Sequence, residues 1–591
     1  AANADHWISV PPGSEYRVAL GILRVILEEN LLPTIDSEQK AILRAMVKDW
    51  PLEAVVAKTG VKNQLLRDLA GKFVESKRPL ALSRGLSYSG PNATDTAVAA
   101  NLLCSLVHDT QETLDFEHLS TLGEVARAEE IKDLSERMKY GEVDLLLIYH
   151  ANPVFSLPPS WDFMKSMEAV PLVVSFTSVL DETSKLAHLI LPAHTPLESW
   201  GDYEPRKGIL GLMQPLMGPQ FQTRHLGDIL LTTGKKARGP ERVPWEDFYH
   251  MLRDSWLQKG KALSPNVPFE SFWLESMRRG GFWKSRDHVK SKLPTRLIRF
   301  PFPHSDKVET FEKGFHFITY PNIKFFDGRG ANRPWLQELP DPLTQITWGN
   351  WVEIHTETAE RLSIRKGDLL ILQSQYGSLE VPAFPYPGIH PETLAMPIEQ
   401  GHTAYGRFDS DQSGNPMQLL SPHLDPSSGG IFFAVSGVKF EKRGQILPIA
   451  NTDGSPYQHG RGIAQAISFD RYQRNKRLDQ KPSIRLPLPE GYKYKDDFYP
   501  RHPHPEYRWA MAVDLDRCIG CGACVVACYA ENNLAVVGKE QVLMGREMSW
   551  LRIERFFEPK GPMIRFLPML CQHCDNAPCE SVCPVFAPHH N

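Results

Sequence analysis

Eight of the nine cysteines fall between residues 518 and 583 of a 591-residue chain, and they stand in two tight runs. The first, "DRCIGCGACVVACYAENN", places Cys518, Cys521, Cys524 and Cys528 in the spacing C-x2-C-x2-C-x3-C. The second, "LCQHCDNAPCESVCPVFAPHHN", places Cys571, Cys574, Cys579 and Cys583 in C-x2-C-x4-C-x3-C, with Pro584 following. The first spacing is that of bacterial [4Fe–4S] binding. A tight loop brings three thiolates round one face of a cubane, and its backbone N–H groups point at the sulfides. The fourth cysteine, on the helix that follows, reaches a different cluster. Gly520, Gly522 and Ala523 are small enough for a loop that wraps an inorganic core. Zinc prefers two spaced CxxC pairs, and disulfides between cysteines this close would be strained. Gly522 and Asp575, not His, follow the two CxxC pairs, which excludes covalent haem attachment on pattern. All eight cysteines are therefore expected to be metal ligands. The ninth, Cys104, sits in the apolar run "AANLLCSLV" and is expected to be a core residue.

The remaining chain is long enough for about three to four domains. A net charge of −4 with no basic block argues against a nucleic-acid partner. The longest apolar runs, 97–107 and 170–180, reach about half the ~20 residues that a bilayer-spanning helix requires. No signal-peptide pattern opens the chain, and it reads as the middle of a domain. Two four-cysteine motifs separated by residues 529–570, the second with the longer gap, read as half of a larger cluster domain. The protein is expected to continue beyond both ends.

Residues 1–235 alternate helix and strand, which predicts an α/β domain with a doubly wound parallel sheet. "SEYRVALGILRVILEE" carries one apolar helical face, with Ser14 as a candidate cap. "RPLALSRG", "VDLLLIYHANPVF" and "VPLVVSFTSVL" read as strands, whose carboxyl ends at 83–85, 150–152 and 177–181 would border a ligand cleft. Residues 236–340, rich in Pro, aromatics and basic residues, read as an irregular connector with some short helix. Residues 341–450 read as a β-barrel, with a hairpin turning at Gly377. Residues 451–505 read as a linker, and 506–591 as an incomplete 4Fe–4S ferredoxin-like domain.

Weaker features take ordinary readings. His150, His188, His194 and His402 are expected to be hydrogen-bonded loop histidines, and His573 a surface residue. Glu182, Glu198 and Asp202 read as a solvated or docking acidic loop. Val525, Val526, Ile519 and Pro584 are candidates for an apolar shell round the clusters.

The stretches "LLLIYHANPVF", "SFTSVLDETSKLAHLILPAHTPLESWGDYE" and "VEIHTETAERLSIRKGDLLILQSQYGSLEV…GHTAYGR…NPMQLLSP" together resemble the molybdopterin oxidoreductase superfamily, over roughly 5–235 and 345–440. The resemblance implies that Asn152-Pro153, Asp181, Thr183 and Asn415 lie round a pterin dinucleotide. His188 stands where that family usually has Asp, and the family's metal-ligand residue would lie upstream of residue 1. The fusion of such a region to a ferredoxin domain closely resembles the B subunits of bacterial alternative complex III. That resemblance implies a pterin-like domain without molybdopterin and [4Fe–4S] clusters with one [3Fe–4S]. It also implies an NrfD-like integral membrane quinol-binding partner, a multihaem cytochrome c partner and a peripheral place on the periplasmic face of the membrane. The implied role is electron relay from quinol to c-type haems, with no catalytic residue in this chain. The alternative is a catalytic molybdenum or tungsten pterin oxidoreductase of the polysulfide-reductase type.

Overall fold

The computed structural model describes residues 4, 6–33, 35, 37–83, 90, 92–107, 120–121, 125–284, 302, 314–408, 414–467, 469–477, 504–507, 510–558 and 563–589. They divide into two compact units. One comprises Ile8–Asn332 and Gly349–Leu447; the other comprises Ala1–Trp7, Arg333–Trp348 and Pro448–Asn591.

In the larger unit, the first helix, Glu15–Glu28, buries Tyr16, Leu20, Leu23 and Ile26 on the face that its sequence pattern marks. Ser14 occupies the cap position, but its hydroxyl turns back to the Pro11 carbonyl and makes no cap bond. Helices Leu52–Thr59, Asn63–Glu75 and Ala93–Val107 complete this core. The strand expected in "RPLALSRG" is not formed over residues 78–83; its last two residues lie outside the described ones. Leu80 and Leu82 face solvent, and the Ala81 N–H donates to the Cys104 sulfur at 3.0 Å while that thiol donates to the Ala81 carbonyl at 3.3 Å. Cys104 is buried, as expected of a core thiol.

Leu145–Tyr149, Leu172–Thr177 and Leu189–Pro192 form a parallel sheet in sequential order. Met138 of Ala128–Lys139, with Phe163 and Met167 of Phe163–Glu168, packs on one face. Leu226 and Ile229 of Leu226–Arg238 pack on the other, against Val174 and Phe176. Helices thus lie on both faces, but the strand expected to be fully buried leaves Leu145, Leu147 and Tyr149 exposed on one side.

The stretch read as an irregular connector is ordered over much of its length. Phe248–Leu263 and Phe269–Arg279 are helices that bury Leu252, Trp256, Phe272 and Trp273 against the strand Ile209–Met213. Leu252, Trp256 and Gly260 recur every fourth residue on one helical face. The density of charged residues between them hides that period.

The barrel closes six strands in the order Ser378–Pro385, Val352–Ile354, Thr393–Ile398, Phe315–Pro321, Ala434–Ile446 and Asp368–Gln373. Its hairpin turns at Gly377, whose carbonyl accepts from the Ser374 N–H. One strand, Phe315–Pro321, lies upstream of the expected start at 341.

The smaller unit contains the cysteine-bearing helix Ala523–Glu531, the hairpin Leu551–Phe557 with Ile564–Leu570, and the short helices Lys539–Leu543 and Pro578–Ser581. Residues 451–464, expected to be linker, are bonded along this hairpin. The Phe557 N–H donates to Pro456 O, Arg565 donates to Ala464 O, and the buried Arg555 pairs with Asp453 at 2.7 Å. Polar, Pro-rich composition suggested a free tether; a buried guanidinium that needs a counter-charge made it a strap.

Candidate functional site

Within the smaller unit, the first cysteine loop runs from Cys518, whose N–H bonds to Asp514 O, to the start of helix Ala523–Glu531. Gly520 and Gly522 both hold positive φ, +68° and +74°, which side chains rarely adopt. A Cβ on Gly520 would lie 2.5 Å from the Phe566 ring, and one on Gly522 would lie 3.1 Å from the Leu339 side chain. The loop is thus bent by backbone that only glycine tolerates, and it is packed from outside.

Burial pushes the Cys524 thiol pKa up. The nearby Cys521 and Cys518 push it the same way, and the N–H groups of Cys524 and Val525 oppose them. These three sulfurs therefore crowd one another's charge. The N–H of Ala587 reaches the Cys583 sulfur at 3.3 Å, and the N–H groups of Ala587, Val585 and Phe586 together pull that thiol's pKa down. The Asn532 amide donates to the Cys528 sulfur at 3.4 Å. Backbone and amide donors aimed at thiolates stabilise negative sulfur, which suits an anionic iron–sulfur core. Among the described residues no three His, Cys, Asp or Glu side chains are set to hold one ion. Thiolates on a cubane stand further apart than ligands of one ion, since each binds a different iron.

The expected apolar shell is only half formed. Val525 is buried and Val526 packs beside it, with Leu534, Tyr529 and Leu339. Ile519 and Pro584 are exposed, Ile519 at 63%. His573 is exposed, as expected.

The second feature lies in the larger unit, beyond the carboxyl ends of the parallel strands. A cavity of about 190 Å³ is lined by His150, Asn152, Phe155, Asp181, Arg329 and Tyr405 among others. His402 is 1% exposed and stacks between Phe155, 3.7 Å centroid to centroid, and Tyr405, at 4.5 Å. Its Nδ1 lies 3.2 Å from the Glu182 carboxylate and its Nε2 lies 3.1 Å from Gly328 O. Each ring nitrogen thus lies within hydrogen-bond distance of an oxygen acceptor. Glu182 also accepts from Asn152 Nδ2 at 2.7 Å and from the N–H groups of Thr403 and Ala404. Burial alone would raise the Glu182 pKa, but the bonds and charge of His402 and the Asn152 amide bring it down to about 2. Asn152 Oδ1 accepts from the Thr183 N–H and hydroxyl. Asn415 Nδ2 donates to Phe155 O at 2.7 Å, and its Oδ1 accepts from the Met417 N–H. Asp181 accepts from the Ser184 N–H at 2.6 Å.

The structure thus brings Asn152, Asp181 and Thr183 together at one end of the sheet, with Asn415 bonded to the carbonyl of nearby Phe155. Sequence reasoning missed the Glu182–His402 pair, because 220 residues separate its members. The acidic loop is solvated only in part, since Asp202 is exposed while Glu182 and Glu198 are largely buried. Glu198 is buried and accepts from the N–H groups of Gln220 and Thr195, and Asp202 accepts from the Trp256 indole and Lys259. His188 accepts from the Val173 N–H and His194 bonds Thr223, so both are hydrogen-bonded as expected.

Two families match. Residues 315–436 match the molydopterin dinucleotide binding domain, and residues 517–587, which span all eight clustered cysteines, match the 4Fe-4S dicluster domain. The chain joins a molybdopterin-binding-like domain to a 4Fe–4S ferredoxin domain. It is 26% identical over 468 residues to the molybdopterin-binding-like subunit of menaquinone reductase from Nitratidesulfovibrio vulgaris, covering 75% of this chain and 64% of that one. Its cysteine domain is 40% identical over 88 residues to the iron–sulfur cluster-binding subunit of menaquinone reductase from the same organism, covering 14% of this chain and 34% of that one. The thiosulfate reductase molybdopterin-containing subunit PhsA of Salmonella typhimurium is 22% identical over 527 residues, with 75% and 68% covered. Acetylene hydratase from Pelobacter acetylenicus has the same fold, with a TM-score of 0.54 and 15% identity over 74% of this chain and 72% of that chain. Segments that match two separate menaquinone reductase subunits thus stand here in one polypeptide. No described helix is long and apolar enough to cross a membrane.

Proposed function

We propose that the chain is the iron–sulfur electron-transfer subunit of a membrane-bound quinol oxidoreductase, with a pterin-like domain that serves as scaffold. The eight clustered cysteines are the proposed ligands: Cys518, Cys521, Cys524, Cys528, Cys571, Cys574, Cys579 and Cys583. The clusters supply one-electron redox chemistry; the chain's own residues set the loop, aim N–H groups at the sulfurs and exclude water from one side. A quinol oxidised in an integral membrane partner of the NrfD type releases two electrons and two protons. Clusters held by the eight cysteines would carry these electrons singly to a c-type haem partner on the periplasmic face.

The observation that carries the scaffold reading is the mutual bonding of the cleft's polar side chains. Asn152, Thr183, Asp181 and Asn415 point their polar atoms at one another or at neighbouring backbone. The space left, about 190 Å³, is below the roughly 300 Å³ at which pockets for drug-sized ligands begin. A pterin dinucleotide would need those groups released. The second reading, a molybdenum or tungsten enzyme feeding the clusters, is favoured by the match of the barrel to the dinucleotide-binding family and by the likeness to a molybdopterin-containing reductase subunit.

The test is to isolate the chain with its membrane partner and add a menaquinol analogue anaerobically. Bleaching of the iron–sulfur absorbance, blocked by a quinone-site inhibitor, is the expected result. Quinol-reduced clusters that are reoxidised by a sulfur oxyanion or polysulfide, which takes up their electrons, would reverse the assignment.

A further inference from the structure

Residues 333–348 lie in sequence between the barrel strands Phe315–Pro321 and Val352–Ile354, yet they belong to the cysteine-bearing unit. Three attachments hold them there. The Trp335 indole N–H donates to Leu534 O at 2.8 Å. One carboxylate oxygen of Glu338 accepts from the N–H groups of Val537 and Gly538, at 2.6 and 2.7 Å. Leu339, 4% exposed, is buried with Val525, Tyr529 and Leu534. Leu339 also meets the backbone of Gly522 so closely that one added methyl there would force a shift. A cavity of about 20 Å³, near the size of one water, is all that remains between Leu339, Gly520, Gly522 and Val525.

The chemistry of this contact concerns the loop. Cys521 adjoins Gly522, Cys524 follows it two residues on, and Cys528 lies on the helix whose buried face, Val525 and Tyr529, is the face that Leu339 covers. A hydrophobic wall behind a cluster controls solvent access and local dielectric, and hence its potential and its lifetime. Glu338 fixes that wall. Its carboxylate satisfies two N–H groups just ahead of helix Lys539–Leu543, tying the insert to the far end of the segment that follows Cys528.

We propose that Glu338 and Leu339 are positioning residues for the cluster held by the first cysteine motif, and that the 333–348 insert is the wall against which its loop is set. This inference rests on the reading of the eight cysteines as cluster ligands. Neither residue touches the irons; each acts through the loop. A four-thiolate cluster gains negative charge on reduction, and water stabilises that charge. Opening the wall therefore raises the potential and speeds loss of iron.

The experiment compares the full chain with Leu339→Ala, Leu339→Met and Glu338→Gln, using EPR-monitored redox titration and iron retention in air. In Leu339→Ala, one cluster signal shifts to higher potential and its iron is lost on the order of tenfold faster, the low end of effects beyond the first ligand shell. The other signals keep their wild-type values. Leu339→Met, which conserves volume, stays close to wild type, and Glu338→Gln falls between. Unchanged titrations in both Leu339→Ala and Glu338→Gln would overturn the inference, as would equal losses from every cluster. If Leu339→Ala does not fold, Glu338→Gln decides alone: an unchanged titration with unchanged iron retention overturns the inference. Wild-type protein without iron would instead defeat the functional reading beneath it.

Discussion

The pterin-like cleft and the cysteine loops handle their polar atoms in opposite ways. In the cleft, Asn152, Glu182, Thr183, His402 and Asn415 bond to one another and to backbone. In the ferredoxin domain, N–H groups converge on Cys583 and three thiols crowd at Cys524, an arrangement that gains stability when the thiolates bind positively charged iron. The contrast supports the proposal that kinship to a cofactor-binding family and a site for the cofactor are separable.

The sharpest way to break that contrast is to remove a ligand on each side. Cys521→Ser is expected to abolish one cluster's EPR signal and its share of iron, whereas Asn415→Ala leaves iron content and EPR untouched. An Asn415 variant that lost a cofactor signal would erase the distinction between the two regions.

Glu182→Gln should destabilise the larger unit by about 3 kcal/mol, since one partner of a buried ion pair is lost, with no change in iron. Its pH dependence has a definite sign. The folded pKa, about 2, lies below the ordinary 4.5, so the carboxylate contributes stability above pH 4.5. That contribution is lost as pH falls towards 2. Urea unfolding of the two proteins should therefore differ fully at pH 6 and converge in acid; an equal gap at every pH would contradict the pairing.

Gly522→Ala adds a methyl at positive φ beneath Leu339 and should cost about 1–3 kcal/mol, felt by thermal unfolding and by faster iron loss from one cluster. An Ala variant with wild-type stability and iron would show that the loop is not packed as described.

The smallest effect concerns Asp95, whose pKa burial and the Asp425 charge raise to about 6. Here the sign is reversed. The folded carboxylate is disfavoured above pH 6, and the cost is relieved as pH falls from 6 towards 3.8. Asp95→Asn should raise the urea midpoint at pH 7 and leave it little changed near pH 4.

How much of this was legible beforehand follows the range of each interaction. The cysteine spacing, the hairpin at Gly377 and the apolar face of Glu15–Glu28 are local patterns, and each reads directly. The Phe248–Leu263 helix was hidden because charged residues fill the gaps in its apolar period. The strap at 451–464 and the insert at 333–348 owe their order to partners about 100 to 200 residues away, such as Arg555 for Asp453 and Leu534 for Trp335. No local pattern announces those partners. The Glu182–His402 pair is invisible for the same reason, although each residue stood in a stretch already singled out.

The central claim is that the electrons live in the ferredoxin domain and that the pterin-like cleft carries no metal. Iron, molybdenum and tungsten should be measured per polypeptide on one sample of the full-length protein, purified anaerobically. Abundant iron without molybdenum or tungsten is the result predicted here. One molybdenum or tungsten per chain would contradict it and move the chemistry into the cleft.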